Sequence, residues 1–136
     1  MPTISVSTKF EAAPEALWAL VADFAHADRY LDGMVIEKMV GEGVGSDRHV
    51  RAGELLVVER LMALDPAARS ITYALVDPPA PFRSYESTMT VVAEGDGCRL
   101  DWVGTVDTGG EADEPVAANM QQVYLGGAQR LGELLG

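Results

Sequence analysis

The chain has 136 residues, 48% of them hydrophobic and 23% charged, with a formal net charge of −11 at pH 7. That length predicts one domain spanning 1–136, able to bury roughly two-thirds of its unfolded surface. The acidic balance and the ten scattered basic residues argue against phosphate backbones and anionic lipid surfaces as partners, since both need clustered Lys and Arg, so no nucleic-acid partner is expected.

Residues 3–10 alternate, with Ile4, Val6 and Phe10 against Ser5, Ser7 and Lys9, which predicts a strand. No leader-like basic and apolar pattern opens the sequence, and no uninterrupted run of 18 apolar residues occurs, so a soluble, cytoplasmic protein without membrane insertion is expected. Pro14 suits the first position of a helix, and Leu17, Leu20, Val21 and Phe24 recur at helical spacing, predicting an amphipathic helix over 14–24. A short helix or turn follows from Ala25 to Leu31. His26 lies near Asp23 and Asp28, but two ligands without a third make a poor metal site, and neither metal nor cofactor is expected.

Met34 to Val40 reads as a strand, followed by the turn Gly41-Glu42-Gly43-Val44-Gly45. That turn lacks the Lys and the following helix of a phosphate loop. Next comes a hairpin built from residues 46–51 and 56–64. If Gly53-Glu54 form a two-residue turn, Ala52 pairs with Leu55, Val50 faces Val57 and Arg48 faces Glu59. Val50 is the only aliphatic residue on its strand, so its parity should face the core, and Arg48 shares that parity. His49 takes the opposite, outward parity.

Asp65-Pro66-Ala67-Ala68 is a turn by composition. Residues 70–76 place Ile71, Tyr73 and Leu75 on one face. Three prolines in Asp77-Pro78-Pro79-Ala80-Pro81 exclude regular structure there. Residues 83–93 put Tyr85, Ser87, Met89 and Val91 on one face, and residues 98–107 put Leu100, Trp102, Gly104 and Val106 inward. Cys98, at the exit of the turn Glu94-Gly95-Asp96-Gly97, reads as a small half-buried residue. As the sole cysteine it precludes an internal disulfide and is compatible with a reducing compartment.

The last segment opens with Glu111, Asp113, Glu114 and Pro115, which suit a helix N-terminus. Val116, Met120, Val123, Tyr124, Gly127, Leu131 and Leu134 then recur every three or four residues, predicting about 20 residues of helix roughly 30 Å long. Gly126, Gly127 and Gly132 weaken such a helix, and close approach to the sheet is the expected compensation.

In order and spacing, Ala13-Pro14-Glu15-Ala16-Leu17-Trp18, Gly43-Val44-Gly45-Ser46-Asp47-Arg48, Glu59-Arg60-Leu61, Ile71-Thr72-Tyr73, Arg83-Ser84-Tyr85 and Tyr124 to Leu131 resemble the START-like (SRPBCC) superfamily. The similarity is greatest to its polyketide cyclase/dehydrase-like branch, and more distant to birch-allergen-type proteins and plant abscisic-acid receptors. The resemblance covers nearly the whole chain. It implies an α+β helix-grip fold, with a curved antiparallel sheet gripping the C-terminal helix and a largely apolar ligand cavity between them. Members bind lipids, hormones or polyketides, and some catalyse cyclisation or dehydration. Positions matching Glu59, Tyr73, Tyr85 and Ser87 face the cavity in the receptor branch. Residues 55–64 are apolar on both faces, so an inward Glu59 rests on the assumed turn and on this resemblance, with an inward Arg60 as the alternative. The receptors' longer, Pro-containing gate loop is here only Ala52-Gly53-Glu54, which argues against a ligand-gated receptor.

The inward polar set is therefore Arg48, Glu59, Tyr73, Tyr85, Ser87, Trp102 and, from the closing helix, Tyr124, with Met120 beside it. One reading makes Arg48–Glu59 a structural ion pair that fixes register. A second makes the set a binding site, with Tyr73, Tyr85, Ser87, Trp102, Met120 and Tyr124 around a small hydrophobic ligand. A third is catalytic, with Glu59 as general base and Arg48 or a tyrosine stabilising an oxyanion. A monomer or weak homodimer is expected.

Overall fold

The computed structural model describes residues 2–136. Strand β1 (Thr3–Phe10) is followed by helix α1 (Pro14–Val21) and a 3₁₀ helix (Phe24–Arg29). Six strands come next, β2 (Met34–Val40), β3 (Asp47–Ala52), β4 (Leu55–Asp65), β5 (Ser70–Val76), β6 (Ser84–Glu94) and β7 (Gly97–Asp107). Helix α2 (Asp113–Leu135) closes the chain. The strands form one antiparallel sheet in the order β1-β7-β6-β5-β4-β3-β2. This is the expected α+β helix-grip architecture.

The β3–β4 hairpin has the register that the Gly53-Glu54 turn requires. Ala52 pairs with Leu55, Val50 with Val57 and Arg48 with Glu59, and Gly53 takes the positive φ (63°) that such a turn demands. Register shifts at Glu37 in β2 and Met62 in β4 insert one extra residue each. Such bulges increase twist and bend a sheet, and here they curl the β2–β4 end.

The core lies on the concave face, where Ile71, Met89, Val91, Leu100, Trp102 and Val106 meet Leu17, Val21 and Leu131 from the helices. Two expectations change. The first helix ends at Val21, because Asp23 leaves helical geometry (φ −83°, ψ 78°), so Phe24 opens the 3₁₀ helix. Cys98 is fully buried, since β1 continues across it with Phe10 as its pairing partner.

The three helix glycines are not equivalent. A Cβ on Gly127 would lie 2.8 Å from Trp102 Cζ3, so α2 touches the sheet there through bare backbone. Gly132 would make only an ordinary contact at 3.6 Å with Phe10, and Gly126 would meet nothing within 4 Å. Close approach thus compensates one glycine. Gly126→Ala should stabilise the fold by about 0.5–1 kcal/mol through helix propensity, whereas the adjacent Gly127→Ala should destabilise it by about 1–3 kcal/mol through overpacking on Trp102. Urea unfolding followed by circular dichroism measures both, and equal signs would contradict the seam described here.

Candidate functional site

Arg48 is 2% exposed and Glu59 7%, so β3 and β4 do turn a charge pair inward. Arg60 takes the outward parity and pairs with Asp47, Nε to Oδ1 at 2.8 Å. A buried guanidinium needs partners from the protein, and Arg48 draws them from three elements. Its Nε donates to Glu59 Oε1 at 2.8 Å, and its Nη1 donates to the Phe24 carbonyl at 2.9 Å. Its Cζ lies 4.1 Å from the centroid of the Phe24 ring and 4.6 Å from that of Tyr73. Burial pulls the guanidinium pKa down, but Glu59, Tyr73 and Tyr30 outweigh it, and the net shift is upward.

Glu59 uses its other oxygen on β6, where the Tyr85 hydroxyl donates to Oε2 at 2.9 Å. Tyr73 sits between them on β5, its ring 6.1 Å from Tyr85 and 6.4 Å from Phe24. A second cluster lies under α2. Tyr124 stacks on Trp102 with centroids 4.4 Å apart and 10° between planes, and its hydroxyl shares a hydrogen bond with Ser87 Oγ. Gly104, paired with Ser87, makes room for this contact, since a Cβ there would fall 2.1 Å from the Tyr124 oxygen. Trp102 Nε1 is the one buried side-chain polar atom without a partner among the described residues.

Between these clusters lies a cavity of about 140 Å³. Glu59, Tyr73, Tyr85, Trp102, Met120 and Tyr124 line it, together with apolar side chains of β3, β4 and β5. Leu55 and Asn119 line it and are also exposed, so they mark its mouth. Two expected contact residues stand outside the lining. Arg48 is buried and does not line the cavity, which removes direct oxyanion contact from its role, and Ser87 is 0% exposed beneath Tyr124. The volume is well below the roughly 300–1,000 Å³ of sites for drug-sized ligands and near the ~150 Å³ that admits one benzene ring.

Several participants had no signal in the sequence. Phe24 gives Arg48 both a carbonyl and a ring face, yet alternation marks it only as apolar. Tyr30 lies edge-on to Trp102 at 6.2 Å, and its hydroxyl donates to Met89 Sδ at 3.8 Å. His26 is exposed and bonded to Asp23 Oδ1 at 2.9 Å, while Asp28 accepts from the Ile36 amide at the start of β2. Among the described residues no group of three His, Cys, Asp or Glu side chains is placed to hold a metal ion. No described helix is long and apolar enough to cross a membrane.

Sheet, gripping helix and enclosed cavity define a START-like helix-grip domain. The chain belongs to the family described as polyketide cyclase/dehydrase and lipid transport, whose model matches residues 1–136. Among solved structures it is similar to XoxI from Bacillus cereus, with 23% identity over 99% of this chain and 96% of that one and a TM-score of 0.84. A Thermobifida fusca protein is 27% identical, with coverage of 98% and 95% and a TM-score of 0.82. The birch-allergen-type protein Ara h 8.0201 is 18% identical, with coverage of 98% and 97% and a TM-score of 0.79.

Two measurements test the site's electrostatics. Arg48→Met leaves the Glu59 charge buried and unpaired and should destabilise the fold by about 3–5 kcal/mol, whereas Arg48→Met with Glu59→Leu removes both charges and should return most of that loss. A double variant as unstable as the single would show that the pair does more than neutralise itself.

All four tyrosines titrate above their ordinary value of 10.0, chiefly through burial, with Glu59 reinforcing the shift at Tyr85. Above pH 10 the folded chain therefore binds more protons than the unfolded one. Its stability is fully present below pH 10 and declines as the pH rises through the folded-state values. Phenolate absorbance should lag past pH 10 and then appear together with loss of the circular dichroism signal. Four phenolates forming near pH 10 in an intact fold would contradict this.

Proposed function

We propose that this domain binds a small hydrophobic or amphipathic molecule in the cavity between sheet and closing helix. The observation that carries the reading is the cavity's polarity. Its walls are apolar and aromatic, and at one end Glu59 and Tyr85 present a joined polar pair. Such an arrangement holds an apolar body and orients one polar group. The volume fits a single ring or the end of a chain, with any remainder of a polyketide-like or lipid molecule leaving past Leu55 and Asn119. Glu59, Tyr73, Tyr85, Trp102, Met120 and Tyr124 are the proposed contacts. Arg48 and Ser87 are positioning residues that hold Glu59 and Tyr124. The protein would act as a monomer or weak homodimer in the cytoplasm, where its one thiol stays reduced.

A second reading is enzymatic, of the cyclase or dehydratase type, and the Tyr85–Glu59 bond at the cavity surface favours it. A carboxylate there could take a proton alpha to a carbonyl while a tyrosine hydroxyl stabilises the oxyanion. One experiment separates the readings. Native mass spectrometry of freshly purified protein should show a bound small molecule that solvent extraction releases, and Val123→Trp, which adds bulk at a lining position, should lose it. Returned to the protein, the compound should come back unchanged if the domain is a carrier. Conversion that collapses in Glu59→Gln would establish the enzyme. Equal occupancy in wild type and Val123→Trp would remove the cavity as the site.

A further inference from the structure

The charges around the cavity are one-sided. Among the described lining residues Glu59 is the only Asp or Glu, and no Lys, Arg or His lines the wall. The nearest cation, Arg48, cannot offset this for a ligand. It stands outside the cavity lining, 2% exposed, with its Nε on Glu59 and its Nη1 on the Phe24 carbonyl.

The hydrogens are committed in the same sense. A carboxylate only accepts hydrogen bonds and has about four lone-pair positions. Glu59 Oε1 receives Arg48 and Oε2 receives Tyr85, one bond each, which leaves acceptor capacity on a carboxylate that lines the cavity. Tyr85 has given its hydrogen to Glu59, so its oxygen too can only accept. The Tyr73 and Tyr124 hydroxyls and the Asn119 amide serve as donor or acceptor alike and set no preference.

We propose, resting on the cavity reading above, that the site selects neutral one-ring molecules whose polar group donates a hydrogen bond, such as a phenol or a primary amide, and rejects carboxylates of the same shape. A hydroxyl or amide N–H finds the Glu59 carboxylate and the Tyr85 oxygen as acceptors. A carboxylate would face Glu59 across a water-poor space, with no cation in the lining to pair with it and a chain of net charge −11 around it.

Matched probes test this with the intact protein. NMR titration with phenol and toluene, and with benzamide and benzoate, compares shapes that differ only in donor capacity or charge. Phenol should bind about tenfold more tightly than toluene, the size of one hydrogen bond to a charged group. Benzamide should exceed benzoate by about a hundredfold. In Arg48→Met with Glu59→Leu both ratios should fall towards one, because the only acceptor charge is gone. Toluene matching phenol, benzoate matching benzamide, or selectivity that survives the double variant would each overturn the selectivity and leave the cavity reading standing. If none of the four probes binds, or if Val123→Trp binds them equally, the cavity reading fails and the selectivity with it.

Discussion

A guanidinium ion in an apolar interior has to be solvated by the protein itself, and meeting that requirement at Arg48 constrains much of this fold. Its carboxylate partner comes from β4, its carbonyl acceptor from the 3₁₀ helix, and its two ring faces from Phe24 and Tyr73. Each partner lies on a different part of the chain. A one-residue slip of the β3–β4 hairpin would turn Glu59 outward and leave the cation unpaired. The 3₁₀ helix is tied to the sheet by the same ion, so the segment between α1 and β2 closes over the core in one position. Glu59 in turn fixes Tyr85 two strands away.

The cavity follows from a second constraint, the uneven distance between α2 and the sheet. At Gly127 and Gly104 the two surfaces touch without intervening Cβ atoms, and Trp102, Tyr124 and Ser87 lock into the seam. Further along, bulges at Glu37 and Met62 add twist and bend to β2 and β4, whose neighbouring side chains line the cavity. The space left is bounded by the tyrosines and Glu59. Tight contact on one side and curvature on the other produce a one-ring pocket with its polar groups gathered at one end.

The family resemblance and the polar geometry bear on function at different levels. Membership fixes the kind of fold, and the hydrophobic occupant is what we propose for its cavity. The side chains narrow that class by chemistry. Arg48, an attractive candidate for stabilising negative charge on a substrate, is buried outside the cavity lining and bonded to Glu59 and the Phe24 carbonyl. That leaves the cavity with an acceptor-rich, anionic end, which favours donors and disfavours free carboxylates.

Much of this was legible in the sequence because β-structure is encoded locally. Period-2 alternation gave the inward parity of Tyr73, Tyr85, Ser87 and Trp102, and the Gly53-Glu54 turn set Arg48 opposite Glu59. Pro14 marked the start of α1, and the acidic turn before Val116 marked that of α2. Tertiary structure alone decided which inward residues reach the cavity. Arg48 and Glu59 have the same parity, yet one is sealed behind the other by Phe24, whose carbonyl no side-chain pattern announces. Helical spacing puts Gly127 on the inward stripe and Gly126 off it, but only the position of Trp102, 25 residues before Gly127, shows that a Cβ there would clash. Parity and turn type depend on neighbours a few residues apart, whereas cavity depth and charge accessibility depend on how distant elements stand against each other.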